Sequence, residues 1–175
     1  LHHHLAASGN FGQVLRKNYP VVIGNKVGNP ECEVASVVGL TVVHIFGFES
    51  PRALELAEKC GIAFQLTNII RDVKEDTARG RSYLPKEDRN RFPDLRDLLA
   101  FEAARARKYY RDSEPLVGLV DKRNRKSLWA LIEIYRRLLR RIEESNFDVM
   151  ERRIRLSPAE KFGILGQAIF VNRQL

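Results

Sequence analysis

Aspartate is missing from the first 60 residues of this 175-residue chain, where all five acidic side chains are glutamates. Cysteine is also scarce, because Cys32 and Cys60 are too few for a disulfide framework or a cysteine-rich zinc site. We expect both thiols to pack as small apolar groups in a reducing compartment. No apolar run approaches the roughly 20 residues that a membrane-spanning helix needs, so an integral membrane protein is not expected.

The composition that remains is typical of a folded globular chain, with 44% hydrophobic and 30% charged residues. Its length suits one domain or most of one. The opening residues, LHHHLAASGN, lack the basic and apolar regions of a secretory signal, so we expect a cytoplasmic location. The consecutive histidines at positions 2–4 fit an expression-tag remnant as well as native sequence, and we exclude them as metal ligands.

Positive charge is concentrated in the later part of the chain. The net charge is +8, yet the first 60 residues carry five basic and five acidic side chains, so the whole excess follows position 60. Such an excess suits nucleic acid, anionic lipid or a polyanionic substrate. Only the high isoelectric point favours nucleic acid, and we therefore expect no nucleic-acid partner. The sequence gives no sign of an oligomeric state.

Residues 1–30 form the least regular part of the sequence, because glycines and a proline interrupt them, although the run 19–23 suits an extended segment. We expect this N-terminal segment to be irregular and, in part, tag-derived. The domain proper is expected at residues 31–175.

Nearly every periodic stretch after residue 30 predicts helix, so the expected fold class is an all-α helix bundle. Ser50 and Pro51 give a capping side chain and a first-turn proline, and Gly80 gives a stop. Ser157 and Pro158 repeat the start signal. The expected helices cover about residues 31–46, 51–76, 94–113 and 128–142 and a last segment from 158, with a loop at 81–93.

Two helices carry basic side chains opposite their apolar faces. The clearest amphipathic repeat consists of Leu128, Leu131, Ile132, Tyr135, Leu138, Leu139 and Ile142. We expect both basic faces to be solvated, with contact to an anionic membrane surface as a secondary use. The basic residues are Arg105, Arg107, Lys108 and Arg111 on one helix and Arg136, Arg137, Arg140 and Arg141 on the other.

A row of amide and carboxylate side chains is expected on the helix that follows Pro51. With about 100° per residue and Gln65 at zero, Asn68 falls near 300°, Asp72 near 340° and Asp76 near 20°. We call these four residues the acidic stripe. Glu75 falls beside it, and a wide apolar face borders it. Such a stripe would line a polar cleft within a bundle.

Oxygen-rich stripes of this kind suit Mg²⁺, which prefers one or two carboxylates together with waters and substrate phosphates. Asp72 and Asp76 could share that role, with Asn68 as a neutral oxygen ligand and Gln65 as a polar contact. A solvated helix face, with Arg71 and Lys74 as local ion partners, remains the alternative.

The segment that follows the stripe reads GRSYLP at residues 80–85. It could form a flap that carries the Arg81 guanidinium toward a phosphate, since arginine's forked donors suit phosphate oxygens. An ordinary helix-exit loop explains the same residues.

Residues 65–76, QLTNIIRDVKED, together with GRSYLP at 80–85, resemble the second acidic motif of the squalene and phytoene synthase family. The resemblance covers about residues 32–170 and includes VASVVGL at 34–40, IFG at 45–47 and NFDV at 146–149. It is closest to the bacterial branch that makes presqualene diphosphate for hopanoids, with phytoene synthases next.

The resemblance implies an isoprenoid-synthase-type helix bundle that condenses two prenyl diphosphates head to head with Mg²⁺. Farnesyl diphosphate is the favoured substrate, giving presqualene diphosphate or squalene, and a phytoene synthase using geranylgeranyl diphosphate is an alternative. Peripheral contact with the inner membrane face fits such substrates. Carried over by position, the catalytic residues would be Asp72, Asp76 and Tyr83, the metal ligands Asn68, Asp72 and Asp76, and the substrate contacts Gln65, Asn68, Arg71, Arg81, Tyr135 and Arg152.

The family's first acidic motif has no counterpart in this sequence, so the bundle is expected to be incomplete on its N-terminal side. A fragment, a degenerate homologue and a second chain that supplies the missing half are three open explanations. Two classes of function follow: a prenyl synthase present as its C-terminal catalytic portion, or a non-catalytic family member that acts as an assembly or scaffold protein. In either case we expect little or no synthase activity from these 175 residues alone.

Overall fold

The computed structural model describes residues 39–48 and 50–171, and within them the regular structure is helical. The expectations for residues 1–30 lie outside this part. Phe48 and Val120 form an isolated antiparallel bridge. The helices are α1 (described over 39–46), α2 (Arg52–Ala78), α3 (Lys86–Arg91), α4 (Leu95–Asp112), α5 (Leu116–Leu119), α6 (Arg125–Glu144) and α7 (Pro158–Phe170).

Helix starts and stops follow the local signals in the sequence. The Asp94 side chain accepts hydrogen bonds from the backbone N–H groups of Arg96 and Asp97, at 2.8 and 3.1 Å, and so caps α4. Ser157 and Glu160 form a reciprocal capping box at the start of α7. At the end of α2, Gly80 adopts a φ of 68°, a left-handed conformation that glycine adopts without steric cost. The predicted all-α fold is confirmed.

The predicted loop at 81–93 is wrong in its middle, where α3 occupies Lys86–Arg91. Pro85 precedes this helix, Glu87 and Asp88 lie in its first turn, and arginines lie in its last turn. These charges complement the helix dipole, which favours acids at the N-terminus and bases at the C-terminus. One turn of helix is too short to show a periodic pattern, so only the end charges could have indicated it.

α2 is the central helix of the described chain and packs along α4. Thr67, fully buried, donates its hydroxyl to the Ala63 carbonyl at 2.8 Å, and its oxygen lies 2.8 Å from the Tyr110 hydroxyl of α4. Because both hydroxyls are buried and paired, they hold the two helices at one axial position. On the α1 side, a Cβ at Gly39 would lie 2.3 Å from the Ala57 carbonyl oxygen, so only glycine permits this approach.

The basic face predicted for α4 is solvated only in part. Arg105 turns inward, where its Nη1 donates to both oxygens of Glu102 at 3.2 Å and to Asp88 of α3 at 3.1 Å. Glu102 is fully buried. A carboxylate in such a position needs a charged, hydrogen-bonding partner, and Arg105 is that partner. The expectation of a solvated face is therefore wrong for Arg105.

α7 closes the described part of the bundle by packing on α6, with Ile164 and Ala168 buried between them. Its opposite face is apolar as well, and the exposed residues there are Phe162, Leu165, Ile169 and Phe170. Within residues 39–48 and 50–171, no helix has both the length and the apolar composition required to cross a bilayer. Cys60 is buried, and burial raises the pKa of its thiol to about 12, as expected for a packing role. Cys32 lies outside the described residues.

Candidate functional site

The acidic stripe lies along one face of α2 over about three turns, as helical periodicity predicts. Gln65, Asn68, Asp72 and Asp76 are all partly buried. The opposite face is apolar and closely packed, with Leu66, Ile69, Ile70 and Val73 buried in the core. The stripe is therefore carried by a helix whose opposite face is packed in the core.

Asp72 is held by two guanidinium groups. Arg71 donates its Nε to Asp72 Oδ1 at 2.8 Å and its Nη2 to Oδ2, which makes a bidentate pair. Arg153 donates to Oδ1 at 3.0 Å and also reaches Glu75 at 3.1 Å. Burial alone would raise the pKa of Asp72, but these two arginines outweigh it and hold the pKa below its usual value. Asp72 is therefore a fixed anion.

Asp76 lies one turn further along α2, and its pKa is shifted in the opposite direction from that of Asp72. Burial and the neighbouring Asp72 carboxylate raise its pKa, while Arg79 and Arg81 oppose the rise. The backbone N–H groups of Arg79 and Arg81 both donate to the Asp76 carbonyl, at 3.0 and 2.9 Å. The end of α2 thus places two cations near Asp76, yet its carboxylate retains unrelieved negative charge that a bound cation would neutralise.

Asn68 supplies the clearest sign of an incomplete site. Its Oδ1 is buried and has no hydrogen-bond partner, an unusual state for a buried polar atom. No three histidine, cysteine, aspartate or glutamate side chains in the described ranges converge as a metal site. The amide and carboxylate oxygens of the stripe are of the type that Mg²⁺ takes, together with phosphate oxygens and waters.

Arg153 reaches the stripe because the chain reverses after α6. Asn146 and Phe147 have φ values of 55° and 58°, in the left-handed region that residues other than glycine rarely enter. The returning segment lies along α2, where Lys74 donates to the Glu151 carbonyl at 3.3 Å. Arg153 thus arrives beside Asp72. It was not among the residues predicted from the sequence, because its position depends on this reversal of the chain.

Arg152, the neighbour selected from the resemblance, lies elsewhere. It is mostly exposed and pairs with Asp148 at 3.3 Å, so the structure does not bring it to the stripe. Arg81 is also exposed, and its guanidinium lies 3.5 Å from the Tyr83 hydroxyl. Tyr83 packs partly against the core. The GRSYLP segment lies just beyond Asp76, a position that the flap and the helix-exit loop both predict.

A cavity of about 440 Å³ between α2, α6 and the start of α7 is lined by Arg71 and Arg153, the two arginines that hold Asp72. Tyr135 lines it and stacks on Phe64, with ring centroids 4.3 Å apart. Its wall combines cationic and apolar side chains, which are Arg71, Arg153, Arg155, Lys161, Ile134, Leu138, Ile154 and Leu156. A larger cavity, about 610 Å³, lies near Asp94 and Phe147 and has no contact with the stripe. We place the site by its chemistry rather than by cavity volume.

We expect opposite changes in stability when the two aspartates are replaced in metal-free protein. Asp72→Asn should lower the free energy of unfolding by about 1–2 kcal/mol, because Arg71 and Arg153 lose a charged acceptor. Asp76→Asn should raise it by about 0.2–0.5 kcal/mol, because it removes like-charge repulsion one turn apart. Chemical denaturation at pH 7 without divalent metal measures both changes.

The pH dependence of the two variants serves as the control. Folding lowers the pKa of Asp72. Its contribution to the free energy of unfolding is therefore present above the pKa of the unfolded chain, and it is lost as pH falls through the pKa of the folded protein. Folding raises the pKa of Asp76. The stabilisation that comes from its protonated form is therefore lost as pH rises through the pKa of the folded protein. As pH falls, the Asp76→Asn difference should therefore shrink first, and the Asp72→Asn difference should shrink at lower pH. Equal destabilisation by both variants at pH 7 would contradict this account.

Comparison with known proteins places this chain in a family. A family model described as squalene/phytoene synthase matches residues 32–160. The chain is 36% identical over 145 residues to a 15-cis-phytoene synthase of Synechocystis sp., with 69% of this chain and 43% of the relative covered. It is also 36% identical over 151 residues to a phytoene synthase of Mycobacterium tuberculosis, with 77% of this chain and 50% of the relative covered.

A solved structure shares the fold. It is a dehydrosqualene synthase in complex with a ligand, with a TM-score of 0.73 and 29% identity over 83% of this chain and 56% of that one. The chain thus spans about half the length of the curated relatives that it matches. The predicted isoprenoid-synthase-type bundle is confirmed, and this chain belongs to the squalene/phytoene synthase family.

Proposed function

We propose that this chain carries one Mg²⁺–diphosphate half-site of a head-to-head prenyltransferase. The observation that carries the proposal is the row of oxygens on α2, in which Asp72 is clamped by two guanidiniums and Asn68 Oδ1 has no partner. A polar row of this kind beside a partly apolar cavity suits a ligand with an anionic head and a hydrocarbon tail.

Each part of the site has a task in the departure of a diphosphate. Asn68, Asp72 and Asp76 would hold Mg²⁺, which when bound neutralises the charge that develops on the leaving diphosphate. Arg71 and Arg153 already lie together at Asp72 and would add guanidinium donors to the same oxygens. The apolar cavity wall and Tyr135 would accommodate prenyl carbons and exclude water from a carbocation. Gln65, Arg81 and Tyr83 would contact the substrate from the two ends of the stripe.

Two substrates compete within the same chemistry. Farnesyl diphosphate, giving presqualene diphosphate or squalene, is our first choice. Several relatives are named phytoene synthase, which supports the alternative of geranylgeranyl diphosphate. Competition between analogues of the two chain lengths for the same site would decide between them. We further propose a cytoplasmic location with peripheral contact to a membrane, because prenyl chains partition into lipid.

Calorimetry with Mg²⁺ and a non-hydrolysable farnesyl diphosphate analogue tests the site. We expect metal-dependent binding that weakens on the order of 100-fold in Asp76→Ala, because a charged ligand to the metal is lost. Glu87→Ala on α3, which removes an exposed carboxylate of equal charge, should bind like the unchanged chain. Metal-independent binding, or equal weakening in both variants, would overturn the half-site.

A non-catalytic assembly or scaffold role is the second candidate, because these 175 residues carry one acidic motif of the family rather than two. Turnover of farnesyl diphosphate by the purified chain separates it from a self-sufficient enzyme. We expect little or no product, since the first acidic motif is absent from the sequence. Restoration of turnover by a second polypeptide with that motif would favour the synthase, whereas intact binding without turnover in any combination would favour the scaffold.

A further inference from the structure

Two arginines remain without an acidic partner on faces where their neighbours are paired. On α4, Arg105, Arg107 and Lys108 each form an ion pair, and on α6 so do Arg136, Arg137 and Arg141. Arg111 of α4 and Arg140 of α6 form none with any carboxylate in residues 39–48 or 50–171. Both line the same cavity, about 410 Å³, in the groove between α4 and α6.

The arrangement of charges along this groove is ordered. Arg107 pairs with Glu143 at 3.1 Å at one end, and Arg136 pairs with Glu114 at 3.5 Å at the other. In sequence, Arg111 falls between Arg107 of α4 and Glu114, which follows the end of α4, and Arg140 falls between Arg136 and Glu143 on α6. The middle of the groove therefore holds two guanidiniums on facing helices, while the carboxylates lie toward the ends.

Arg136 gives the groove a fixed wall. Its Nη2 donates to the Tyr110 carbonyl at 3.1 Å, and its guanidinium carbon lies 5.9 Å from the centre of the Tyr110 ring. Tyr110 itself is buried and bonded to Thr67 of α2. The cavity floor is thus tied to the core, and the exposed side chains of Arg111 and Arg140 line the cavity above it. Facing cations repel each other, and an anion with several oxygens removes that repulsion.

We propose that the α4–α6 groove is a second anion site, which binds a phosphate or diphosphate group through Arg111 and Arg140 without metal. It shares no lining residue with the cavity beside the acidic stripe and lies on another face of α6. A soluble phosphate compound and the headgroup of an anionic phospholipid both supply this chemistry. The site is independent of the half-site function proposed above.

Titration in EDTA distinguishes this site from the metal-dependent one. The probes are inorganic diphosphate and, separately, vesicles of phosphatidylglycerol with phosphatidylcholine vesicles as the reference. We expect binding of at least one anionic probe by the full chain, weakened about tenfold or more in the double variant Arg111→Gln/Arg140→Gln. The matched control is Arg89→Gln/Arg123→Gln, which removes the same charge from exposed positions outside the groove. Circular dichroism confirms that both variants remain helical.

Each outcome decides the question. Loss of diphosphate binding in the groove variant alone supports a soluble ligand, and loss of vesicle binding alone supports a lipid headgroup. Equal weakening in both double variants would show a diffuse charge effect, and no binding of either probe in EDTA would show a solvated pair of arginines. Either result overturns the site, while the Mg²⁺-dependent binding by Asp76 remains a separate measurement.

Discussion

Replacing Arg105 with leucine is expected to lower the free energy of unfolding by about 3–5 kcal/mol at pH 7, because it leaves a buried carboxylate unpaired. Both oxygens of Glu102 accept from Arg105 at 3.2 Å, and the Glu102 side chain has no exposed surface. Arg105 also reaches Asp88, so the same change releases α3 from α4. Urea or guanidinium denaturation measures the loss.

The pH dependence of this loss identifies its cause. Burial raises the pKa of Glu102 even beside Arg105, and Asp88 adds to the rise. A raised pKa means that the contribution of Glu102 is present below its unfolded pKa and is lost as pH rises through the folded value. Without Arg105 the pKa of Glu102 in the folded protein rises further. The difference in free energy of unfolding between variant and parent should therefore be smallest in acid and largest at neutral pH.

Two comparisons control the experiment. Lys108→Leu removes an exposed cation one turn along α4 and should cost less than about 1 kcal/mol, as surface ion pairs do. Glu102→Leu added to Arg105→Leu removes the unpaired charge and should recover much of the loss. A double variant as unstable as Arg105→Leu alone would show that packing of the arginine stem, not charge, is responsible.

Ile70→Ala should lower the free energy of unfolding by about 2–5 kcal/mol, the range for deleting a large side chain inside a packed core. Ile70 is fully buried on α2, between the stripe residues Asn68 and Asp72 in sequence and on the opposite face in space. Thermal or chemical denaturation gives the value. Ile169→Ala is the matched control, because the same atoms are removed from a side chain that is 63% exposed on α7.

The consequence of Ile70→Ala for the site is separable from its consequence for stability. If the core merely supports α2, the folded fraction of the variant should bind Mg²⁺ and the analogue with nearly unchanged affinity. The control at Ile169 should change neither quantity by more than about 0.5 kcal/mol. A stability loss at Ile169 as large as that at Ile70 would contradict the burial on which the prediction rests.

Local periodicity was sufficient to predict the stripe, because helix pitch alone determines which residues share a face. Asn68, Asp72 and Asp76 follow from their spacing, and the starts of α4 and α7 follow from Asp94 and Ser157. These features depend on residues within a turn or two of one another. The family motif in residues 65–85 added the chemistry that the spacing alone left open.

What the sequence could not predict depends on contacts between distant segments. Arg153 reaches Asp72 across 81 positions, through a chain reversal in which Asn146 and Phe147 adopt left-handed conformations. Glu102 reads as a polar position on an amphipathic helix, and nothing local distinguishes it from an exposed glutamate. Its burial depends on how α4 packs against α2 and α6, which no local pattern encodes. The partner of Arg105 was missed for the same reason.

The buried hydroxyl pair of Thr67 and Tyr110 has a consequence for hydrogen exchange. Thr67 precedes Asn68 directly, so the middle of the stripe lies in the segment where the α2 backbone is tied to α4. Amides in such segments exchange with solvent only when most of the protein opens. A ligand bound at the stripe should therefore slow exchange throughout the core rather than locally. At a concentration of 100 times Kd, the slowing would correspond to about 2.7 kcal/mol for every globally exchanging amide.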